Sequence, residues 1–169
     1  MTRTRSTGPP REFAAWYATE LPGICRALAL ATGDVGLGEE AAAEAFARAL
    51  LHWPRVSQMD SPTAWVYTVA LNEVRRSWRR GVLERRYVQR LRDEHLPAPT
   101  EPEDELWRAV AALPPRARTA IALRYVADLP EREIADVMNI SRGTVAATLS
   151  TARRRLAAAL GPTLEESLR

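Results

Sequence analysis

Leu129-Pro-Glu-Arg-Glu-Ile-Ala-Asp-Val-Met-Asn-Ile-Ser-Arg-Gly-Thr-Val145, continuing to Arg155, is the stretch that decides the fold. It has the spacing of a helix-turn-helix. Glu131 to Met138 predicts a short helix with Ile134 and Met138 on one face, and Ala135 is small enough for a second helix to approach closely. Asn139 falls at the turn, where the chain often needs a left-handed residue and asparagine tolerates one. Ile140 plugs the turn, and Ser141 is a candidate N-cap for the next helix. Val145, Leu149, Ala152 and Leu156 then recur at helical spacing as a buried stripe. In such a unit the second helix lies in the major groove of DNA. The plainer alternative is a helical hairpin with no ligand.

Working outward, helical patterns cover about 104 to 112, 115 to 127, 130 to 138 and 142 to 160, with Pro114-Pro115 and Asp128-Leu129-Pro130 as punctuation. Upstream, the charge changes abruptly. Arg75 to Arg92 holds eight Arg (75, 76, 79, 80, 85, 86, 90, 92) against Glu84, whereas Asp93 to Glu105 holds six acids, no Arg and three prolines. A Pro-containing run of like charge reads as a linker and not as a core element. Before it, helical patterns begin at Arg11, with Pro22 as an interruption or kink, and at Glu39, ending near Trp53. A third starts at the Ser61-Pro62 cap and has Gly81 as a candidate stop, with 82–92 as an alternative extension of the basic helix that would move the start of the linker towards Asp93. The expected division is therefore a disordered 1–10, a helical domain over 11–81, a flexible acidic linker over 82–105, a helix-turn-helix domain over 106–160 and a tail over 161–169. Strand signals are nearly absent, so the fold class is all-α, as two small helical domains.

The bulk numbers narrow the function. The chain has 169 residues, 46% hydrophobic and 27% charged, with a net charge of +3, which describes an ordinary globular protein with a mild preference for polyanions. All 24 basic residues are Arg, a bias that a GC-rich genome also produces, so their placement matters more than their number. Cys25 is the single cysteine, which excludes an intrachain disulfide and fits a buried thiol. There is no apolar signal-peptide core at the N-terminus and no run approaching the roughly 20 apolar residues of a membrane span. A cytoplasmic protein is expected. His52 and His95 have no Ser, Cys or metal-ligand partner at useful spacing, and no phosphate-binding glycine loop is present. The sequence predicts neither an enzyme nor a metal, cofactor or small-molecule substrate.

Nucleic acid fits better. On the third helix Tyr67, Ala70, Leu71, Val74 and Trp78 form one face, and Trp65, Thr68, Asn72, Arg75, Arg76 and Arg79 form another. A basic strip supplies phosphate contacts, and an aromatic and an amide beside it suit unstacked bases. The alternative is that Trp65 is core and the arginines are a solvated face.

Taken together, these stretches resemble the group IV (extracytoplasmic-function) sigma factors of bacterial RNA polymerase, within the sigma-70 family. The resemblance runs from about residue 11 to 160. Thr32-Gly33-Asp34 with Glu39, Glu40, Glu44, Ala45 and Phe46 is similar to the family's Gly-Asp…Ala-Glu-Asp…Gln-Glu-x-Phe pattern. Ser61-Pro62-Thr63-Ala64-Trp65 with Val69, Ala70 and Asn72 resembles its Pro-x-Ala-Trp-Leu…Ala-x-Asn helix. Leu113-Pro114-Pro115-Arg116 with Leu123-Arg124-Tyr125 resembles the opening of its second domain. Glu133-Ile134-Ala135, Ser141, Gly143-Thr144-Val145 and Ala152-Arg153 resemble its helix-turn-helix.

The resemblance implies three surfaces. Glu39, Glu40, Glu44, Phe46 and Arg48 would bind core RNA polymerase. Asp60, Ser61, Trp65, Asn72, Arg75, Arg76, Arg79 and Arg80 would meet the single-stranded non-template strand of the minus-ten element. Arg124, Ser141, Arg142, Thr144, Ala146, Ala147, Thr148, Thr151 and Arg154 would read the minus-thirty-five element as duplex. The linker would thread towards the polymerase interior, and an anti-sigma factor is a further implied partner. Two departures bear on this. Ala43 stands where the family has Gln in its clamp helix. Gly143-Thr-Val-Ala-Ala-Thr-Leu149 stands where the family reads Gly-Thr-Val-Lys-Ser-Arg-Leu, which removes basic contacts and should flatten the salt dependence of DNA binding. Ala146 and Ala147 suit thymine methyls instead. Two competing readings are a stand-alone helix-turn-helix regulator, which would not bind core polymerase, and a sigma mimic, which would bind it without giving a transcript.

Overall fold

A computed structural model describes residues 10–88 and 102–161, with side chains over 10–79 and 105–161. Helices account for nearly all of it, and there is no strand among the described residues. The first unit contains α1 (Arg11–Thr32), α2 (Val35–Leu51), the single turn α3 (Trp53–Val56) and α4 (Pro62–Val88). The second contains α5 (Pro102–Ala111), α6 (Pro115–Ile121), α7 (Glu131–Met138) and α8 (Arg142–Leu160). A π-helical turn over Ala122–Val126 follows α6 directly.

The α1–α2 corner is made by local chemistry. Gly33 takes φ 74°, a left-handed conformation, and its N–H closes back onto Ala29 O at 2.8 Å. Asp34 then caps α2, its Oδ1 accepting from the Leu37 N–H at 3.0 Å. The corner lets α2 fold back on α1 at very short range. A Cβ at Gly38 would lie 2.7 Å from the backbone nitrogen of Ala29. Ala41, Ala42, Ala45 and Ala49 keep the rest of that seam thin and are fully buried. Tyr67, Ala70, Leu71 and Val74 of α4 complete the core. An aromatic cluster closes one end: Phe13 meets Trp53 edge-on at 5.2 Å, and Trp16 and Tyr17 meet Phe46 at 5.4 and 4.8 Å.

The second unit follows the sequence pattern closely. Ile134, Ala135, Val137 and Met138 are buried on α7, and Val145, Leu149, Ala152 and Leu156 on α8. Asn139 ends α7 in the left-handed conformation, φ 54° and ψ 53°. Ser141 Oγ accepts from the Thr144 N–H at 3.1 Å and so caps α8.

Four boundaries differ from expectation. Helix α1 is a single element with Pro22 inside it, at an exposed position. Helix α2 starts at Val35 and not near Glu39, because the Asp34 cap outweighs the poor helix propensity of Gly36 and Gly38. Of the two ends expected for α4, Gly81 is not the stop; the basic helix extends past it to Val88. A lone glycine costs a helix only about 1 kcal/mol, and the good helix formers Leu83, Glu84, Arg85 and Arg86 follow it. Helix α5 starts at Pro102, since proline is tolerated at a first helical position. The expected linker, 82–105, is therefore helical at both ends, and its centre, with the expected disordered 1–10 (apart from Pro10) and most of the tail, lies outside the described residues.

Gly38→Ala tests the α1–α2 contact. In an ordinary helix this change stabilises by up to about 1 kcal/mol. Here the added methyl meets backbone and not a movable side chain, so a net loss of about 1–3 kcal/mol is expected, seen as a lower midpoint in thermal denaturation. A raised midpoint would contradict so close an approach of the two helices.

Candidate nucleic-acid and partner surfaces

Helix α4 has two faces. Its buried face carries Tyr67, Leu71 and Val74, and its outer face carries Asn72, Arg76 and Arg79, all exposed. Ser61 caps the N-terminus, its Oγ accepting from the Ala64 N–H at 3.2 Å. Arg75 donates to Asn72 Oδ1 at 2.8 Å, and Arg79 Nε reaches the Arg75 carbonyl at 3.4 Å, so these three side chains form one strip. Neither Arg75 nor Arg79 has an ion pair among the described residues. Arg76 is different: it pairs with Glu73 at 3.2 Å. Trp65 is half-buried and packed on the hydrophobic core, and Asp60 is exposed in the loop before Ser61. The Arg80 side chain lies outside the described residues.

The α2 residues divide in the same way. Glu39 and Glu40 are exposed. Glu44 pairs with Arg48 at 2.7 Å, and Arg48 reaches Glu73 at 3.3 Å, so Glu73 joins α2 to the basic helix. Phe46 is 2% exposed and packed edge-on in the aromatic cluster, so it offers no contact area to a partner. It shapes the helix from beneath. Glu73 was missed by sequence reasoning, since a lone Glu among arginines reads as incidental.

On the second unit, Arg142, Ala147, Thr151, Arg154 and Arg155 are exposed along α8. The Ser141 and Thr144 hydroxyls lie 2.8 Å apart, and Thr148 donates to the Thr144 carbonyl at 2.7 Å, so the cap and first turn are hydrogen-bonded within the helix. Ala146 is half-buried. Arg124 pairs with Asp128 at 3.5 Å and donates to Leu129 O at 3.3 Å, holding the turn that leads into α7.

The two units touch. Arg118 of α6 donates from Nε to Ala31 O and from a terminal nitrogen to Thr32 O, both at 3.1 Å. Ser61 Oγ donates to Glu133 Oε2 at 2.8 Å. Between these points lies a cleft of about 580 Å³. It is lined by Asn72, Arg75 and Arg79 from α4 and by Arg116, Thr119 and Asn139 from the second unit.

No group of three or more His, Cys, Asp or Glu that could hold a metal is present among the described residues. Burial pushes the Cys25 thiol up, with Glu39 adding to the effect. Burial likewise raises the Tyr67 phenol, with smaller contributions from Glu20 and Cys25. Among the described residues no helix is long and apolar enough to cross a membrane.

The geometry defines a two-part helical protein with a helix-turn-helix in one part and an unpaired basic strip in the other. Residues 8–83 match the family "Sigma-70 region 2", and residues 103–156 match "Sigma-70, region 4". The chain belongs to the sigma-70 family. Similar solved structures include one described as the sigma factor RpoE in complex with the anti-sigma factor NepR from Bartonella quintana. That likeness is one of fold: TM-score 0.77 at 18% identity, covering 89% of this chain and 98% of the other. Another, described as the anti-sigma factor NepR complexed with the anti-anti-sigma factor PhyR from the same organism, gives TM-score 0.54 at 16% identity, covering 86% of this chain and 49% of the other. A curated relative, an uncharacterized protein of Rhizobium meliloti (strain 1021), is 31% identical over an alignment covering 75% of this chain. The chain spans about a third of that relative's length, 33%.

The raised Cys25 pKa gives a pH prediction. A thiol with a raised pKa stays protonated to higher pH, so alkylation by iodoacetamide should accelerate only above the pH at which free cysteine does. Denaturant should bring the midpoint back to the ordinary value. A native midpoint at or below that of free cysteine would contradict the burial.

Proposed function

We propose that this chain is an alternative sigma factor that brings core RNA polymerase to promoters and helps open them, while the polymerase performs all the chemistry. The single observation that carries the reading is the pairing, in one chain, of a capped α4 bearing an unpaired Asn72–Arg75–Arg79 strip with a complete helix-turn-helix downstream. Matches to regions 2 and 4, in that order, support it.

In this reading α2 docks on core polymerase through Glu39, Glu40, Glu44 and Arg48, with Phe46 fixing the helix from inside. Asp60, Ser61, Trp65, Asn72, Arg75, Arg76, Arg79 and Arg80 face the non-template strand of the minus-ten element. The guanidinium groups hold phosphates, and the amide and the exposed edge of Trp65 meet unstacked bases. Arg142, Ala147, Thr151 and Arg154 meet the minus-thirty-five duplex. Ser141, Thr144, Thr148 and Ala146 shape the start of that helix, and Arg124 shapes its approach. With Ala146 and Ala147 in place of longer side chains, discrimination there depends on apolar contact with thymine methyls more than on hydrogen bonds. The protein would act in the cytoplasm, without a cofactor. An anti-sigma protein is a further partner, a reading supported by the description of the structure with the similar fold.

Run-off transcription tests this. Core polymerase from a GC-rich bacterium, given this chain and a pool of genomic promoter fragments, should yield new transcripts that share an upstream motif. Arg75→Ala with Arg79→Ala should lower their yield and reduce the slope of log affinity against log salt by about 0.7 per lost single-strand phosphate contact. Co-elution with core polymerase without any transcript would favour a sigma mimic. Neither co-elution nor transcript would favour a stand-alone regulator.

A further inference from the structure

We infer that the cleft between the two units is a binding site for a compact polyphosphate anion, either free or as the tail of a nucleoside polyphosphate. The site is read from the cleft itself; only its competition with DNA rests on the reading of α4 proposed above.

Charge is the first argument. Arg75 and Arg79 of α4 and Arg116 of α6 line the cleft, and among the described residues no Asp or Glu does. None of these arginines has a carboxylate partner among the described residues. By contrast, Arg48 and Arg76 both pair with Glu73. A cleft lined by one sign of charge focuses its field on the space between the walls and concentrates counter-ions there. An anion seated in it also relieves the mutual repulsion of the guanidinium groups.

The second argument is the bonding capacity left over. Arg75 uses one terminal nitrogen on Asn72 Oδ1, and Arg79 uses only Nε, on the Arg75 carbonyl. Arg116 makes no hydrogen bond among the described residues. Forked donors of this kind match phosphate oxygens two at a time. The acceptors that would repel an anion at the rim are already engaged, since Ala31 O and Thr32 O accept from Arg118 at 3.1 Å.

Size and access agree. A volume of about 580 Å³ lies in the range of small-molecule sites. The cleft is open to solvent, because Asn72, Arg79, Arg116 and Asn139 are exposed at its edges. Its floor is apolar, with Leu71, Val74 and Met138 buried. Trp78, half-buried in the α4 wall, gives a nucleobase an aromatic surface to pack on.

Arg116 sets this site apart from the single-strand surface. It belongs to the other unit, and none of the promoter contacts proposed above uses it. A strand on α4 and a polyphosphate in the cleft share Arg75 and Arg79, but only the polyphosphate needs Arg116. The two ligands therefore compete.

Isothermal titration of the full chain with inorganic triphosphate, ATP and GTP at physiological ionic strength tests the site. The natural chain is compared with Arg116→Ala and Arg132→Ala. Arg132 is exposed on α7 and does not line the cleft, so it controls for overall charge. Arg116 is exposed and makes no internal bond among the described residues, so its loss should leave the thermal midpoint unchanged. Arg116→Ala should weaken binding at least about tenfold, the worth of one charge-assisted contact. Arg132→Ala should change it less than about twofold, its charge being screened from the cleft. Tighter binding of either nucleotide than of inorganic triphosphate assigns the nucleoside form, and equal affinities assign the free anion. Absence of binding by all three, or equal losses in both variants, would overturn the site. Competition is read with a fluorescent random-sequence single-stranded oligonucleotide. Inorganic triphosphate should displace it from the natural chain, while Arg116→Ala should hold the oligonucleotide equally well and resist displacement. An oligonucleotide bound but not displaced at saturating triphosphate would overturn the competition. Failure of the natural chain to bind it would count against the α4 reading and leave the polyphosphate site standing.

Discussion

The end of α1 has four carbonyls to satisfy, and the way the chain satisfies them organises the rest of the molecule. Gly33 and Thr32 turn the chain, and Asp34 restarts it as α2. The turn sends α2 back along α1 at a separation that only Gly38 and a seam of alanines permit. That thin pair leaves room for α4 to pack its Tyr67, Leu71 and Val74 face on both. Two of the others, Ala31 O and Thr32 O, are met by Arg118, a residue more than eighty positions away in sequence. A backbone requirement at one helix terminus thus fixes both the first domain's core and the seat of the second domain.

Helix α4 serves packing on one face and, in the function proposed above, recognition on the other. Its inner face contributes aliphatic and aromatic bulk, and Glu73 on its flank ties Arg48 and Arg76 into a network with α2. That network is partly exposed, so its value lies in fixing side-chain positions more than in stability. The result is a sorting of arginines. Arg48 and Arg76 are engaged with carboxylates, while Arg75 and Arg79 have no carboxylate partner among the described residues, as the proposed phosphate contacts require.

Much of this was legible in the sequence because it is local. The Ser61 and Ser141 caps, the left-handed Asn139 and the buried stripe of α8 each need only a few neighbouring residues, and all are present in the structure. Phe46, which the family resemblance assigned to polymerase binding, is buried against the aromatic cluster. What stayed hidden was non-local or competitive. Gly36 and Gly38 masked the start of α2, because a glycine needed for close packing looks like a helix breaker. Gly81 looked like a stop because nothing local distinguishes a tolerated glycine from a terminal one. The Arg118 contacts were invisible because their acceptors are backbone carbonyls, which every residue has. The Ser61–Glu133 bond joins two side chains 72 positions apart, each of which already had a local explanation.

Permanganate probing of unpaired thymines is the most direct test of the central claim, that the α4 strip engages separated strands. Core polymerase and this chain are incubated on a promoter fragment recovered by transcription, with and without Arg75→Ala plus Arg79→Ala. The account predicts reactive thymines around the minus-ten position with the natural chain, and much weaker reactivity with the variant despite unchanged polymerase binding. Equal reactivity with both proteins would contradict the role given to α4.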